Sequence, residues 1–248
     1  SLSGTHVAPA LNAVLEGQNL KFLGRHQLKS LRASANLGAR QGGATPLVSN
    51  VEIASYTNGA TRIDSARLKT DGTRAAHTIA LAARGEAFEA AGQVRGGWNA
   101  GAWAGTVDSL QNRGRYAFTL QSPVPLKLAV APGAGAMGLM RPQQIAFNGA
   151  VIALPSGRIN IASLSKNGPR WTSKGQAAGV PLNYLAQFSP ALRENLTGDL
   201  TIGGEWGLDL QAAAGTAPQL AGTVHVFREK GDLIVGAEVP VVLGLRVL

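Results

Sequence analysis

The chain contains no cysteine, which excludes a disulfide framework, a thiolate metal site and a cysteine nucleophile. Its four histidines, His6, His26, His77 and His225, are far apart and have no metal-ligand spacing, so we expect no metal site. Long apolar runs are missing as well, since none approaches the ~18 residues that a membrane-spanning helix needs. The sequence therefore predicts no cofactor.

Charged residues are also scarce, at 15% of the chain, and aromatic residues make up only 5%. Lysine and arginine nevertheless exceed aspartate and glutamate by 23 to 14, which gives a net charge of +9. The arginines stand singly, with no basic run and few aromatic residues on which bases could stack, so we expect no nucleic-acid partner. Dispersed cations suit either anionic lipid headgroups or an ordinary basic surface.

Three local patterns have the spacing of catalytic or cofactor motifs but lack their context. GAGAMG (133–138) has the glycines of a dinucleotide-binding loop, but a nearby proline prevents the long helix that should follow. Ser163 and Lys166 have S-x-x-K spacing on an alternating segment, without the partner motifs of a serine acylase. Glu86 and Glu89 flank one turn, as solvated turn residues do. We therefore expect no enzymatic activity.

Period-2 alternation is what the sequence has in abundance. In HTIALAARGEAFEAAGQVR (77–95), Ile79 and Leu81 share one parity before a turn, and Phe88 and Val94 share one parity after it. One face of this hairpin is apolar, and such a face must be covered by something. The pattern recurs over most of the chain and predicts roughly 14–18 strands in an antiparallel meander. The predicted glycine-centred turns are Gly42-Gly43, Asn58-Gly59, Asp71-Gly72, Asn167-Gly168 and Gly203-Gly204.

One segment, GVPLNYLAQFSPALRENLTG (179–198), has apolar residues at helical spacing instead. Pro181 suits a first helical turn, and Pro190 should kink or end the helix. We therefore predict one short helix near 181–188. The side chains predicted to pack it against the sheet are Leu182, Leu185 and Phe188.

Three blocks of sequence are similar to those of a known family. The first is GTRAAH (72–77) with GGWNAGAWAGTVDSL (96–110), a recurrent block of tryptophan, small residue, glycine and hydrophobic residue. The second is GVPLNYLAQFSP (179–190) with LTGDLTIGGEW (196–206), a short helix and its return strand. The third is PQLAGTVHV (218–226), a strand that opens a repeat. In these blocks the chain resembles the TamB family of translocation and assembly module proteins, within the wider AsmA-like family.

The resemblance, which is best over 72–226, implies an all-β fold: an elongated, curved (U-shaped, taco-like) antiparallel sheet with an apolar concave groove. It also implies a periplasmic location within an inner-membrane-anchored protein. The implied partners are phospholipid, the outer-membrane barrel protein TamA and nascent outer-membrane proteins. Residues 1–248 are expected to form a single elongated segment, internal to a longer envelope-spanning protein, because 239–248 still alternates where the sequence stops. The family implies no catalytic residue.

The predicted function is a lipid conduit whose groove shields acyl chains and supports outer-membrane biogenesis. The alternative function is a periplasmic scaffold that binds nascent outer-membrane proteins by β-augmentation. The alternative fold is a globular β-sandwich with an alanine-rich core. The predicted lipid-binding residues are Ile79, Leu81, Phe88, Val94, Trp103, Tyr116, Phe118, Leu120, Leu126, Leu128, Ile159, Ile161, Leu182, Leu185, Phe188, Leu200, Ile202, Leu208, Leu210, Val224 and Val226.

Overall fold

The structure of the chain is a computed structural model. It describes residues 2–5, 8–22, 26–38, 44–59, 61–99, 101–130, 142–188, 196–212, 217–235 and 241–243. The predictions for Gly42-Gly43, for the loop at 133–138 and for Pro190 lie outside the described residues.

Strands dominate the described residues, so the all-β prediction is confirmed. The first nine are β1 (Leu2–Thr5), β2 (Ala8–Phe22), β3 (His26–Leu37), β4 (Leu47–Asn58), β5 (Thr61–Gly72), β6 (His77–Gly85), β7 (Phe88–Asn99), β8 (Ala102–Gly114) and β9 (Phe118–Leu120). The others are β10 (Val124–Ala129), β11 (Gln144–Ala153), β12 (Arg158–Asn167), β13 (Arg170–Pro181), β14 (Leu196–Gly198), β15 (Thr201–Gln211), β16 (Gln219–Lys230), β17 (Leu233–Val235) and β18 (Val241–Leu243). The helix is α1 (Leu182–Ala186).

The main sheet has 15 strands, and all of its described pairings are antiparallel. Its order is β1, β2, β3, β4, β5, β6, β7, β8, β10, β11, β12, β13, β15 and β16, with β9 paired to β8 and β11. Strands β14, β17 and β18 form a separate 3-stranded sheet. Consecutive strands are neighbours almost throughout, which confirms the predicted meander. Fifteen of the described strands therefore form one continuous sheet rather than the two large stacked sheets of a sandwich.

Two of the predicted turns are confirmed and two are wrong. Asn58 and Asn167 are the last residues of β4 and β12, and Gly59 and Gly168 follow them in the turns to β5 and β13, with left-handed φ values of 54° and 56°. Asp71-Gly72 is the end of β5, and the turn follows it. Gly203-Gly204 lies inside β15, where a Cβ on Gly203 would come within 2.5 Å of the Phe227 ring. That glycine makes room for a cross-strand side chain.

Strand register places directly opposed residues on the same face of the sheet. One row follows β2 to β8 and β10 through Ala13, Ala35, Ser49, Thr70, Ile79, Val94, Val107 and Val124. A second row, the tryptophan row, runs from β7 to β16 through Trp98, Trp103, Leu128, Ile145, Lys166, Trp171, Leu210 and Leu220. Trp103 and Val107 have the same parity on β8, so both rows lie on one face, here called the apolar face. The other side is the polar face.

Local irregularities interrupt the period-2 alternation of single strands, but the apolar side chains on both sides of each irregularity stay on the same face of the sheet. Asp108 is an extra residue in β8, so Val107 and Leu110 both point to the apolar face although they are three residues apart. Asn19 in β2 and Ser55 in β4 have positive φ values of 51° and 52° and mark a similar change of phase. The apolar face therefore continues across strands whose sequences break strict alternation.

Helix α1 is shorter than predicted. Pro181 is the last residue of β13 and the N-cap, with extended dihedral angles of φ −67° and ψ 135°, so it precedes the helix rather than forming its first turn. The helix ends at Ala186, and Phe188 follows it. None of the helices in the described ranges is long and apolar enough to cross a bilayer.

Little of this molecule is fully buried. The accessible surface is 16114 Å². A compact globular protein of 25.5 kDa would expose about 10,400 Å². Among the described residues, the buried hydrophobic ones are Leu28, Trp103, Val124, Ala150, Val180, Tyr184, Ala186 and Leu200. Much of the apolar face therefore stays accessible to solvent.

Candidate functional site

The predicted lipid-binding residues in the strands all fall on the apolar face. They are Ile79, Leu81, Phe88, Val94, Trp103, Phe118, Leu120, Leu126, Leu128, Ile159, Ile161, Ile202, Leu208, Leu210, Val224 and Val226. Several remain open to solvent: the exposed fraction is 50% for Leu81, 62% for Val224 and 53% for Val226. Period-2 alternation is sufficient to find these residues because each side chain follows its strand's pleat.

The other five members of the predicted set gather around α1. The Tyr116 hydroxyl donates a hydrogen bond to the carbonyl oxygen of Gln187 at 3.0 Å, and its ring stacks on Phe188 at 4.5 Å between centroids. The backbone N–H of Leu182 donates a hydrogen bond to the carbonyl oxygen of Leu200 at 2.9 Å. Leu185 lies within the helix. These residues form a cluster at the margin of the sheet opposite the tryptophan row.

The side chain that holds α1 most firmly is Tyr184, which lies outside the predicted set. It is 8% exposed, and its hydroxyl donates a hydrogen bond to the carbonyl oxygen of Ala117 at 3.1 Å. Burial raises the pKa of the Tyr184 phenol above its usual value. The buried residues of the helix are Tyr184 and Ala186, whereas Phe188 is 61% exposed. The helix thus lies against the sheet, but not mainly through the side chains that helical spacing predicts.

Trp103 is the most deeply buried member of the tryptophan row, with 4% of its surface exposed. Its indole ring lies over Gly96 and Gly105, where added Cβ atoms would come within 2.5 and 2.6 Å of the ring. Trp206 lies over Gly175 in the same manner, at 2.2 Å from an added Cβ. These glycines therefore let large rings lie flat against the sheet.

Trp103 is also fixed by a hydrogen bond to His77, which is 5% exposed. The indole N–H of Trp103 donates to Nε2 of His77 at 2.9 Å, and Nδ1 of His77 lies 2.9 Å from the carbonyl oxygen of Thr73. An indole N–H can only donate and a carbonyl can only accept. The proton of neutral His77 therefore resides on Nδ1. No spacing in the sequence indicates this pair, because the two residues are brought together across three strands.

The apolar face includes large residues that the predicted set omits. They are Leu110, Val107, Val124, Ile145, Phe147, Leu164, Trp98, Trp171 and Trp206. Phe147 precedes Gly149, whose positive φ of 76° changes the phase of β11. Strict alternation continued across Gly149 would place the residues before it and the residues after it on opposite faces. Phe147 is therefore not predicted to lie on the apolar face.

The polar face contains paired charges. Glu16, Arg32, Glu52 and Arg67 are opposed in successive strands with alternating sign, and Arg67 lies 2.9 Å from Glu52. Arg95 binds Asp108 through two hydrogen bonds, of 2.5 and 2.9 Å. The bonds from Arg95 hold the pKa of the Asp108 carboxyl below its usual value, against the smaller effect of desolvation. Such a surface is suited to water.

An open depression of about 830 Å³ lies over this polar face near β2 to β8. Its walls include Glu16, Arg32, Glu52 and Arg67, the same residues that neutralise one another. The ion pairs on its walls favour water there over an apolar ligand. Within the described ranges, no three histidine, aspartate or glutamate side chains are grouped to hold a metal ion.

Comparison with known proteins gives one match. No curated protein and no solved structure matches the chain. The family model for the TamB N-terminal domain matches residues 1–138. That range includes the tryptophan and glycine block at 96–110, whereas the helix and return-strand blocks lie beyond it. Because the match covers 138 of the 248 residues, more than half of the chain, this chain belongs to the TamB family.

Proposed function

We propose that this chain is a segment of a lipid conduit, in which the apolar face shields the acyl chains of phospholipids from water. Its role is to bind and shield, without a catalytic step. The observation that supports this most directly is the apolar face itself, which continues from β2 to β16 in one sheet. Leu81 and Leu110 on that face are 50% and 42% exposed. Exposed apolar surface of this extent is typical of interaction sites.

The contrast between the two faces also supports the proposal. Ion pairs such as Arg67–Glu52 and Arg170–Asp209 lie on the polar face, while rows of valine, leucine and tryptophan lie on the other. Moving apolar surface out of water is favourable by about 25 cal/mol per Å², so an acyl chain gains free energy wherever it covers these rows. A curved sheet would enclose such a chain, and we propose that the apolar face is the inner side of that curve.

Membership in the TamB family supports a role in the translocation and assembly module and in outer-membrane biogenesis. It also supports an envelope-associated location, for which we propose the periplasm, as part of an inner-membrane-anchored protein. The outer-membrane protein TamA is the partner that the family name suggests. Phospholipid is the ligand that the apolar face suggests.

A scaffold for nascent outer-membrane proteins is a second candidate, and strand β16 favours it. This strand is the last of the main sheet, and its outer edge has no paired strand among the described residues. Leu220 and Val224 on β16 are 66% and 62% exposed. An unpaired edge of this length can accept an added strand through backbone hydrogen bonds. Crosslinking from β16 into an unfolded outer-membrane strand would separate this function from lipid shielding.

Leu81→Asp tests the conduit with a matched control on the next residue. Leu81 points to the apolar face, whereas Ala82 is exposed on the polar face, so Ala82→Asp adds the same charge to the other side. We expect both variants to fold, with a loss of about 1–2 kcal/mol for Leu81→Asp because the side chain is half exposed. Binding of a fluorescent phospholipid in detergent-free buffer should fall for Leu81→Asp and stay at the wild-type level for Ala82→Asp.

Equal lipid binding by the two variants would count against the apolar face as the lipid site. Unfolding of Leu81→Asp would show that this side chain belongs to a sealed core, where an added charge costs several kcal/mol. Circular dichroism and urea denaturation of both variants distinguish these cases.

A further inference from the structure

The tryptophan row has a fixed place on the sheet. Three of the four tryptophans, Trp98, Trp103 and Trp171, belong to it, and each is the second residue from its strand end. The row therefore follows one margin of the apolar face, and α1 lies at the opposite margin. Indole rings with one apolar side and one N–H favour boundaries between hydrocarbon and water.

Lys166 stands in the same row, between Ile145 and Trp171. Its ammonium donates a hydrogen bond to the carbonyl oxygen of Pro142 at 2.6 Å and lies 5.8 Å from the centroid of the Trp171 ring. Among the residues that the structure describes, no carboxylate lies within ion-pair distance of it. An ammonium has three N–H donors, so two of them have no hydrogen-bond partner among the described residues.

Two arginines, Arg95 on β7 and Arg170 on β13, differ from Lys166 in this respect. Arg95 is neutralised by Asp108 and Arg170 by Asp209, and both pairs lie on the polar face. Lys166 thus places a positive charge, which has no carboxylate partner among the described residues, at the margin of an apolar surface. Its long side chain can lie along that surface while the ammonium reaches water, as lysines do at a membrane interface.

We propose that Lys166 binds the phosphate of a phospholipid whose acyl chains lie on the apolar face. This inference rests on the proposed lipid conduit and gives the lipid an orientation. The headgroup lies at the tryptophan row, and the acyl chains extend across the rows of Leu126 and Val124 towards α1. An ammonium and a phosphate form a charge-assisted hydrogen bond, which is stronger than a neutral one.

The test compares two short-chain lipids with the same acyl chains, a phosphatidylglycerol and a diacylglycerol that lacks the phosphate. The variant is Lys166→Gln in the full chain. The matched control is Lys127→Gln, because Lys127 is exposed on the polar face of β10 at the same height along the strands. Dissociation constants are measured by tryptophan fluorescence. Lys166→Gln should weaken phosphatidylglycerol binding about tenfold and leave diacylglycerol binding unchanged, while Lys127→Gln should change neither.

The other outcomes each overturn the inference in a distinct way. An unchanged affinity of Lys166→Gln for phosphatidylglycerol refutes the headgroup contact but leaves the conduit standing. An equal loss for both lipids shows that Lys166 only supports the fold. Inorganic phosphate that binds the wild type as tightly as the lipid shows a free-anion site instead. Failure of the wild type to bind either lipid defeats the proposed function together with this inference.

Discussion

At the residue scale, the hydrogen bond from Trp103 to His77 shows how a polar pair can stabilise a surface that is otherwise apolar. Both side chains are nearly buried, with exposed fractions of 4% and 5%. Each polar ring atom has a partner, because Nδ1 of His77 faces the carbonyl oxygen of Thr73. A buried acceptor without a donor costs more than the hydrogen bond itself contributes. The pair should therefore be energetically coupled.

A double-mutant cycle tests that coupling. Trp103→Phe leaves Nε2 of His77 buried without its donor and should cost about 1–3 kcal/mol beyond the loss of ring contacts. Adding His77→Leu to Trp103→Phe removes the stranded acceptor, so the double variant should be less destabilised than the sum of the single variants. Urea denaturation measures the three free energies of unfolding. Strict additivity would show that the two side chains contribute independently.

At the scale of the element, α1 joins distant parts of the sheet. Tyr184 bonds to Ala117, which precedes β9, while the helix itself continues from β13. The bond from Tyr116 to Gln187 connects the same two regions in the opposite direction. These reciprocal bonds fix the margin of the apolar face opposite the tryptophan row.

Tyr184→Ala tests the contribution of this helix, with Asn183→Ala as the control on the same turn. Tyr184 is buried and Asn183 is exposed. Tyr184→Ala should destabilise the protein by about 3–5 kcal/mol, through lost packing and the lost bond to Ala117. Asn183→Ala should change stability by less than about 0.5 kcal/mol. Similar small losses for both variants in urea denaturation would mean that α1 is loosely attached.

The strands could be predicted from the sequence wherever alternation runs without interruption. Ile79 and Val94 have the predicted parity and are directly opposed in β6 and β7. The prediction fails where a local phase change or a ring contact intervenes. Gly149 shifts the phase of β11, and Gly203 accommodates the Phe227 ring instead of making a turn. Alternation within one strand does not indicate the positive φ of Gly149, and the ring contact at Gly203 depends on the neighbouring strand.

The cluster around α1 was only partly predictable for a similar reason. Helical spacing identifies Leu182, Leu185 and Phe188 as one stripe, but a helix of five residues is too short for a stripe to decide its packing. Tyr184 is buried because its hydroxyl finds a carbonyl acceptor at Ala117, 67 residues away in the chain. The order of the strands in the sheet brings Ala117 close to Tyr184. The local sequence around Tyr184 carries no information about that order.

At the scale of the whole molecule, a main sheet with one polar and one apolar face accounts for a chain that is 45% hydrophobic and only 15% charged. The path from β1 to β16 crosses fourteen strands, which at about 4.8 Å per step is roughly 62 Å along the sheet. A single sheet cannot bury both of its faces, so the accessible surface of 16114 Å² is large for this chain length. Ion pairs suit the polar face to water, and the apolar face is the surface that we propose for acyl chains.

Photocrosslinking with a phospholipid that has a photoreactive group at the end of an acyl chain tests this account most directly. The full chain is labelled without detergent, and the modified residues are located by mass spectrometry. The account predicts labels on Leu68, Leu81 and Leu110, which follow one another across the apolar face. It predicts none on Arg67, Ala82 and Gln111, their neighbours on the polar face. Labels distributed equally over the two sets, or confined to the polar set, would contradict it.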